Sequence, residues 1–135
     1  MKELSIDATV ENIITVTEFV NDLLDAHDCP MKTRTQISIA IDELFGNIAN
    51  YAYDGRVGDA TVRVGFSDSP KSVSITFIDS GIPFNPLERI DPDITLSADE
   101  RKIGGLGIFM VKKMMDTVTY QYQNNQNILC ITKNF

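Results

Sequence analysis

The chain has 135 residues, 43% of them hydrophobic and 23% charged, and its 12 basic against 19 acidic side chains leave a net charge of −7. That composition belongs to a folded chain, and this length encloses one core by burying about two thirds of the unfolded surface. The acidic balance argues against nucleic acid or an anionic membrane as partner, since both need a positive surface, and no apolar run reaches the ~18 residues of a membrane span.

The first residues, Met1 to Asp7, carry no apolar block of the kind that opens a signal peptide. Cys29 and Cys130 match no zinc spacing, and the chain has one histidine. A reduced, cytoplasmic protein folding as one domain over residues 1–135 is the expectation.

Residues 2–7 alternate, with Leu4 and Ile6 against Glu3, Ser5 and Asp7, and predict a short strand. The period then changes. Ile13, Val16, Val20, Leu23 and Leu24 mark one face of a helix that runs to about Ala26. Asp28-Cys29-Pro30 interrupts it, because proline disfavours helix at the residue before it. A second helix is predicted from about Met31 to Tyr53, with Ile37, Ile41, Leu44, Ile48 and Tyr51 as its stripe and Asp54-Gly55 as its stop.

Ala60, Val62, Val64 and Phe66, and then Val73, Ile75 and Phe77, alternate with polar neighbours on either side of a Ser-Pro-Lys turn. They predict an antiparallel hairpin. Residues 82–103 lack a period and carry Pro83, Pro86 and Pro92. Long connections of this kind in small domains are functional lids or disordered. Ser97-Ala98-Asp99-Glu100 fits a capping box and predicts one helical turn there. A third helix starts near the glycines at 104–107 and continues through Ile108, Val111 and Met115. Strands at about 118–123 and 128–134 follow, joined across Asn124 to Asn127. The expected fold class is α+β: a two-layer sandwich of one mostly antiparallel sheet with three helices on one face.

Three constellations can carry chemistry. Glu43 and Asn47 are spaced i, i+4, so they lie about 40° apart around the helix, one turn above the other. A carboxylate and an amide oxygen so placed can share a hard cation, or the carboxylate can take a proton while the amide holds the metal. A solvated helix face is the plainer reading of that pair alone, and Asn50 only extends its polar strip. Asp79 has the parity of Val73, Ile75 and Phe77, so it points into the core layer and needs a partner there. A ligand donating an N–H would serve. Gly81 leaves room for close approach to the backbone. Asp-Ser-Gly is also ordinary turn chemistry. Gly104-Gly105-Leu106-Gly107 opens a helix with bare amides, which suits phosphate oxygens, and Arg101 and Lys102 add charge nearby. The same glycines also suit a hinge.

Other residues carry plain readings. Phe109, Met110, Met114 and Met115 fill the core, Cys130 is buried in a strand, and Tyr120 and Tyr122 share a strand face and pack on a helix. His27 has no catalytic surroundings.

Taken together and in this order, the three constellations resemble the GHKL ATPases. Glu43-x-x-x-Asn47 is similar to their N box, Asp79-x-Gly81 to their first glycine box, and Gly105-x-Gly107 to their second. The resemblance spans essentially the whole chain. Its length, leading strand and short lid are most similar to the anti-sigma-factor serine kinases of that superfamily.

The resemblance implies a Bergerat ATP-binding fold with ATP and Mg²⁺ as cofactors. By it, Asn47 coordinates Mg²⁺ and Glu43 is the catalytic base. Asp79 accepts the adenine amino group, and Gly81 lets the base lie close. The amides of Gly105, Leu106 and Gly107 hold the phosphates, with Arg101 and Lys102 as further phosphate contacts. Residues 84–103 form the ATP lid. The implied acceptor is a serine on a STAS-domain anti-anti-sigma protein, with a sigma factor as second partner in a partner-switching system. Members often dimerise, so a homodimer is a further expectation. Where many relatives carry a histidine after the N-box asparagine, this chain has Asn50. The competing reading is a non-catalytic module whose nucleotide sets its affinity for a partner. A histidine-kinase catalytic piece is disfavoured, because no helical hairpin presents an acceptor histidine.

Overall fold

Residues 1–88 and 105–135 are described by a computed structural model of the chain. The Ser97-Ala98-Asp99-Glu100 turn, most of the expected lid, Gly104, Arg101 and Lys102 lie outside the described residues. The elements are β1 (Lys2–Asp7), α1 (Ile13–Ala26), α2 (Met31–Asn47), β2 (Asp59–Asp68), β3 (Lys71–Asp79), α3 (Gly105–Met114), β4 (Thr117–Gln123) and β5 (Gln126–Asn134). A 3₁₀ turn, Val10–Asn12, precedes α1.

The strands form one sheet in the order β1-β2-β3-β5-β4, antiparallel throughout. One face is apolar because alternate residues of one parity point to it. Val62 pairs with Phe77 and Val64 with Ile75; beyond them Phe77 pairs with Leu129 and Ile75 with Ile131. All three helices bury their stripes on this face: Val16, Val20 and Leu24 of α1, Ile37, Ile41 and Phe45 of α2, Ile108 and Val111 of α3. Helix α2 lies between the other two and packs against both. The α+β sandwich expected from the pattern is therefore the observed one.

The first helix closes as its sequence dictates. Asp28 adopts the left-handed conformation at φ 55°, which returns the Cys29 N–H to the Leu24 carbonyl at 3.0 Å. His27 Nδ1–H donates to the Leu23 carbonyl oxygen at 3.0 Å, and the ring stacks on Phe66 with 3.5 Å between ring centroids. Its role is packing at the helix end.

Several expectations need correction. The second helix does not run to Tyr53 as α-helix: it ends at Asn47 and continues as a π turn, Ile48–Ala52. The wider turn carries Tyr51 away from the core, and it is 51% exposed although its spacing placed it on the stripe. Strand β5 begins at Gln126, two residues earlier than expected. The connection is Asn124-Asn125 alone, both left-handed at φ 55° and 62°, the signature of a two-residue hairpin turn. Met110 is 41% exposed, whereas Met115, just past the end of α3, is buried as expected, beside Ile108 and Val111 of the helix. Cys130 is half-buried, since its parity puts it on the sheet face that the helices leave uncovered. Tyr120 is half-buried against the core and lines a pocket, whereas Tyr122, expected beside it on a helix, is exposed.

Candidate functional site

The pocket lies where α2 and its π turn meet β3, β4 and β5, and holds about 450 Å³ of non-protein space, its open mouth included. Leu44, Ile48, Ala52, Phe77 and Leu129 give it apolar walls, and Tyr51 and Phe84 stand together with ring centroids 6.4 Å apart. Its polar groups are few and converge: Asp79, Asn127, Asn47 and the Tyr120 hydroxyl. Apolar walls with a handful of placed polar groups are the usual character of a small-molecule site.

Asp79 ends β3 with the core-facing parity of Ile75 and Phe77, and is 6% exposed. Its Oδ1 accepts the Gly81 N–H at 2.9 Å and the Asn127 Nδ2–H at 2.9 Å. Burial pushes the carboxyl above the ordinary carboxylate range, and those two hydrogen bonds partly pull it back. Its Oδ2 has no hydrogen bond among the described residues. A buried acceptor left open at a pocket is suited to a ligand N–H.

Asn127 is a polar residue of the pocket lining that sequence reasoning misses. It was placed in a turn, whereas it is the second residue of β5, paired with Asp79 and buried at 6% exposure. Its amide also donates to the Ile82 carbonyl at 2.8 Å and accepts from the Phe84 N–H at 3.0 Å and from the Tyr120 hydroxyl. The available signal was the dipeptide Asn124-Asn125, which favours a two-residue turn and would have moved the strand start forward by two.

Gly81 makes a close approach, and its neighbour is protein. A Cβ there would overlap the Ala52 carbonyl and lie 2.6 Å from the Ala52 Cβ. The next residue, Ile82, donates its N–H to that same carbonyl at 2.9 Å. The π turn thus sets the backbone from which the pocket's 81–84 wall hangs. Gly81→Ala is expected to destabilise the chain by about 1–3 kcal/mol, because a backbone overlap cannot be relieved by a rotamer change. Denaturant unfolding checks this; an unchanged midpoint would mean that the segment shifts freely.

Glu43 and Asn47 come together as their spacing requires. Asn47 Nδ2 donates to Glu43 Oε1 at 3.3 Å, and both side chains are part-buried. Gly105, Leu106 and Gly107 form the first turn of α3. A Cβ at Gly107 would overlap the Glu43 carboxylate, so the glycine turn lies directly against the acid. The N-terminus of α3 therefore faces the Glu43–Asn47 pair, which brings the first and third sequence constellations together beside the pocket that Asn47 lines.

This donor set fits Mg²⁺ held mainly by a phosphate ligand. Among the described residues no group of three or more His, Cys, Asp or Glu side chains could cage a metal. The Asn47 Oδ1, whose amide nitrogen is turned to Glu43, has no partner among them. A single amide oxygen is what Mg²⁺ takes from protein when phosphates and water fill its other positions.

A buried carboxylate in the pocket, an asparagine–glutamate pair along α2 and a glycine turn against that pair stand together on one side of the sheet. The sequence model of the histidine kinase-like ATPase domain matches residues 6–133. The chain belongs to that family. Among relatives, the serine/threonine-protein kinase BtrW of Bordetella bronchiseptica is 24% identical over 101 residues, covering 75% of this chain and 70% of its own length. The serine-protein kinase RsbW of Bacillus mycoides is 24% identical, covering 94% and 81%. RsbW of Bacillus cereus is 26% identical over 95 residues, covering 69% and 59%. The relatives named here are protein kinases acting on serine, or on serine and threonine. Among the described residues no helix is long and apolar enough to cross a membrane.

Proposed function

We propose that the chain is a cytoplasmic Mg-ATP-dependent serine kinase that phosphorylates a STAS-domain antagonist and holds a sigma factor in a partner-switching system. The buried Asp79 carboxylate with one oxygen open to the pocket carries the ATP reading. The printed names of the relatives support serine as the acceptor.

In this reading the adenine amino group donates to Asp79, and the amides of Gly105, Leu106 and Gly107 hold the phosphates at the start of α3. Mg²⁺, when bound at Asn47, would neutralise phosphate charge. The serine oxygen attacks the γ-phosphorus as its proton passes to the Glu43 carboxylate. The bond from the γ-phosphorus to the bridging oxygen breaks, and ADP leaves. Positioning and charge neutralisation supply most of the rate in such a transfer.

Calorimetric titration with ATP and ADP, with and without Mg²⁺, tests the nucleotide reading. Binding strengthened by Mg²⁺ is expected. Phosphoserine on a co-purified STAS protein tests the kinase. ATP binding without any transfer would leave a nucleotide-dependent binding module. The Asn47→Ala variant is expected to lose about tenfold in affinity for Mg-ATP and little for metal-free ATP, as loss of one metal oxygen requires. Equal losses in both titrations would make Asn47 a structural residue.

A further inference from the structure

We propose that Gly107 is a positioning residue for phosphoryl transfer: its missing side chain keeps open the place in which the Glu43 carboxylate stands, so the first turn of α3 backs the base on one side. The inference rests on the kinase reading above. It adds to the phosphate contact of the Gly107 amide a second task, performed by the absence of a Cβ.

Three glycines differ in what a side chain would meet. At Gly46 of α2 a Cβ would meet Ile13 Cδ1 at 3.9 Å, an ordinary contact. At Gly81 it would strike the Ala52 backbone, which cannot swing aside. At Gly107 it would overlap Glu43 Cδ and Oε2 and lie 2.7 Å from Oε1, and these are the nearest atoms it would meet among the described residues. The obstacle is therefore the end of one flexible side chain. Anchorage decides what yields. Gly107 is followed by Ile108 and Val111, both buried, which lock α3 into the core. Leu44 and Phe45, next to Glu43 in the chain, lock α2 in the same way. The helices hold and the carboxylate gives way, because turning a side chain about its own bonds costs far less than unseating a packed helix.

A displaced carboxylate would lose two things. Glu43 Oε1 accepts from Asn47 Nδ2 at 3.3 Å, and turning the carboxylate out of its place breaks that bond. The carboxylate would also leave the positive end of the α3 dipole, which favours an anion at a helix N-terminus. Held by Asn47 on one side and by the α3 turn on the other, it has one position from which to take the serine proton. A misplacement of about 1 Å is worth about 10²-fold in rate. One extra methyl group at 107 thus acts on the chemistry and leaves the fold alone.

Gly107→Ala, Glu43→Gln and the double variant form the test. Alanine keeps the amide at 107 and suits a helix better than glycine, so the melting temperature is expected to hold or rise. In the ligand-free protein the Asn47 side-chain amide signal, identified in nitrogen–proton NMR spectra by its loss in Asn47→Ala, is expected to shift in Gly107→Ala. Single-turnover transfer to the co-purified STAS protein at saturating Mg-ATP is expected to fall by about 10–100-fold in Gly107→Ala, with ATP affinity within about threefold of the parent. In the Glu43→Gln background the same alanine should change the rate by less than about twofold, because the base that it displaces is already gone. Equal losses in both backgrounds would assign Gly107 to phosphate alone and overturn the inference. An unmoved Asn47 signal, or transfer at the parent rate in Gly107→Ala, would overturn it too. So would a lowered melting temperature, since the helix would then be yielding in place of the carboxylate. A Glu43→Gln chain that transfers at the parent rate, or an unmodified chain that transfers nothing, overturns the kinase reading and the inference with it.

Discussion

Replacing Glu43 with Gln is expected to lower phosphoryl transfer by about 10²–10⁴-fold, the usual worth of a general base. ATP affinity should stay within about twofold, because the change is isosteric and removes no predicted nucleotide contact. Glutamine keeps an Oε1 that can still accept from Asn47 Nδ2, so the neighbouring amide holds its orientation. It also keeps the volume that the glycine turn of α3 lies against. What it removes is the ability to take the serine proton. Single-turnover transfer from labelled ATP, beside a calorimetric affinity, separates the two effects. Transfer at the parent rate would take Glu43 out of the chemistry and reduce it to a residue that steadies Asn47.

Asp79→Asn is expected to weaken ATP by about a hundredfold or more, because a buried donor would then face the adenine amino group. The mutant amide can still accept from Gly81 and Asn127 through Oδ1, which points its Nδ2 along the line of the former Oδ2. The fold should not suffer. Burial raises the carboxyl of Asp79, so the native state favours its neutral form. The stability tied to that form is present below the ordinary carboxylate range and is lost as pH rises through the elevated value. At neutral pH the ionised group works against folding, and a neutral asparagine avoids this. The melting temperature at pH 7 should therefore hold or rise while ATP binding collapses. In the parent chain, ATP affinity should decline on acidification at a pH above that of an ordinary aspartate. A variant that binds ATP normally would place the adenine elsewhere.

Most of the fold was legible because its periods are strong. Val16, Val20 and Leu24 at helical spacing, and Ile75, Phe77 and Asp79 at strand spacing, state which face is buried without reference to anything distant. The spacing of Glu43 and Asn47 likewise fixes their meeting within one helix. The misreadings arose where tertiary contacts decide. Nothing local distinguishes Ile48–Ala52 as a π turn from two more α turns; its carbonyl at Ala52 is claimed by Ile82, thirty residues on in the chain. The open space at Gly81 was legible, but its occupant was not. The partner of Asp79 was hidden because Asn127 reads as loop polarity, and only pairing of β3 with β5 brings the two together. Burial by a remote strand leaves no mark on the sequence around a polar residue.

The hairpin between β4 and β5 carries a consequence for how this site can change over evolutionary time. Asn124 and Asn125 lie outside the pocket wall, yet they fix which residue of β5 faces inward. Strand side chains alternate, so sliding the pairing by one would turn Asn127 to the uncovered face and bring Gln126 or Ile128 to the site. A lengthened turn would thus change the polar lining of the pocket at a distance, with the hydrophobic layers of the other strands left in place. Drift at two surface asparagines is, in this architecture, a route to a differently lined pocket that leaves every lining position itself unmutated.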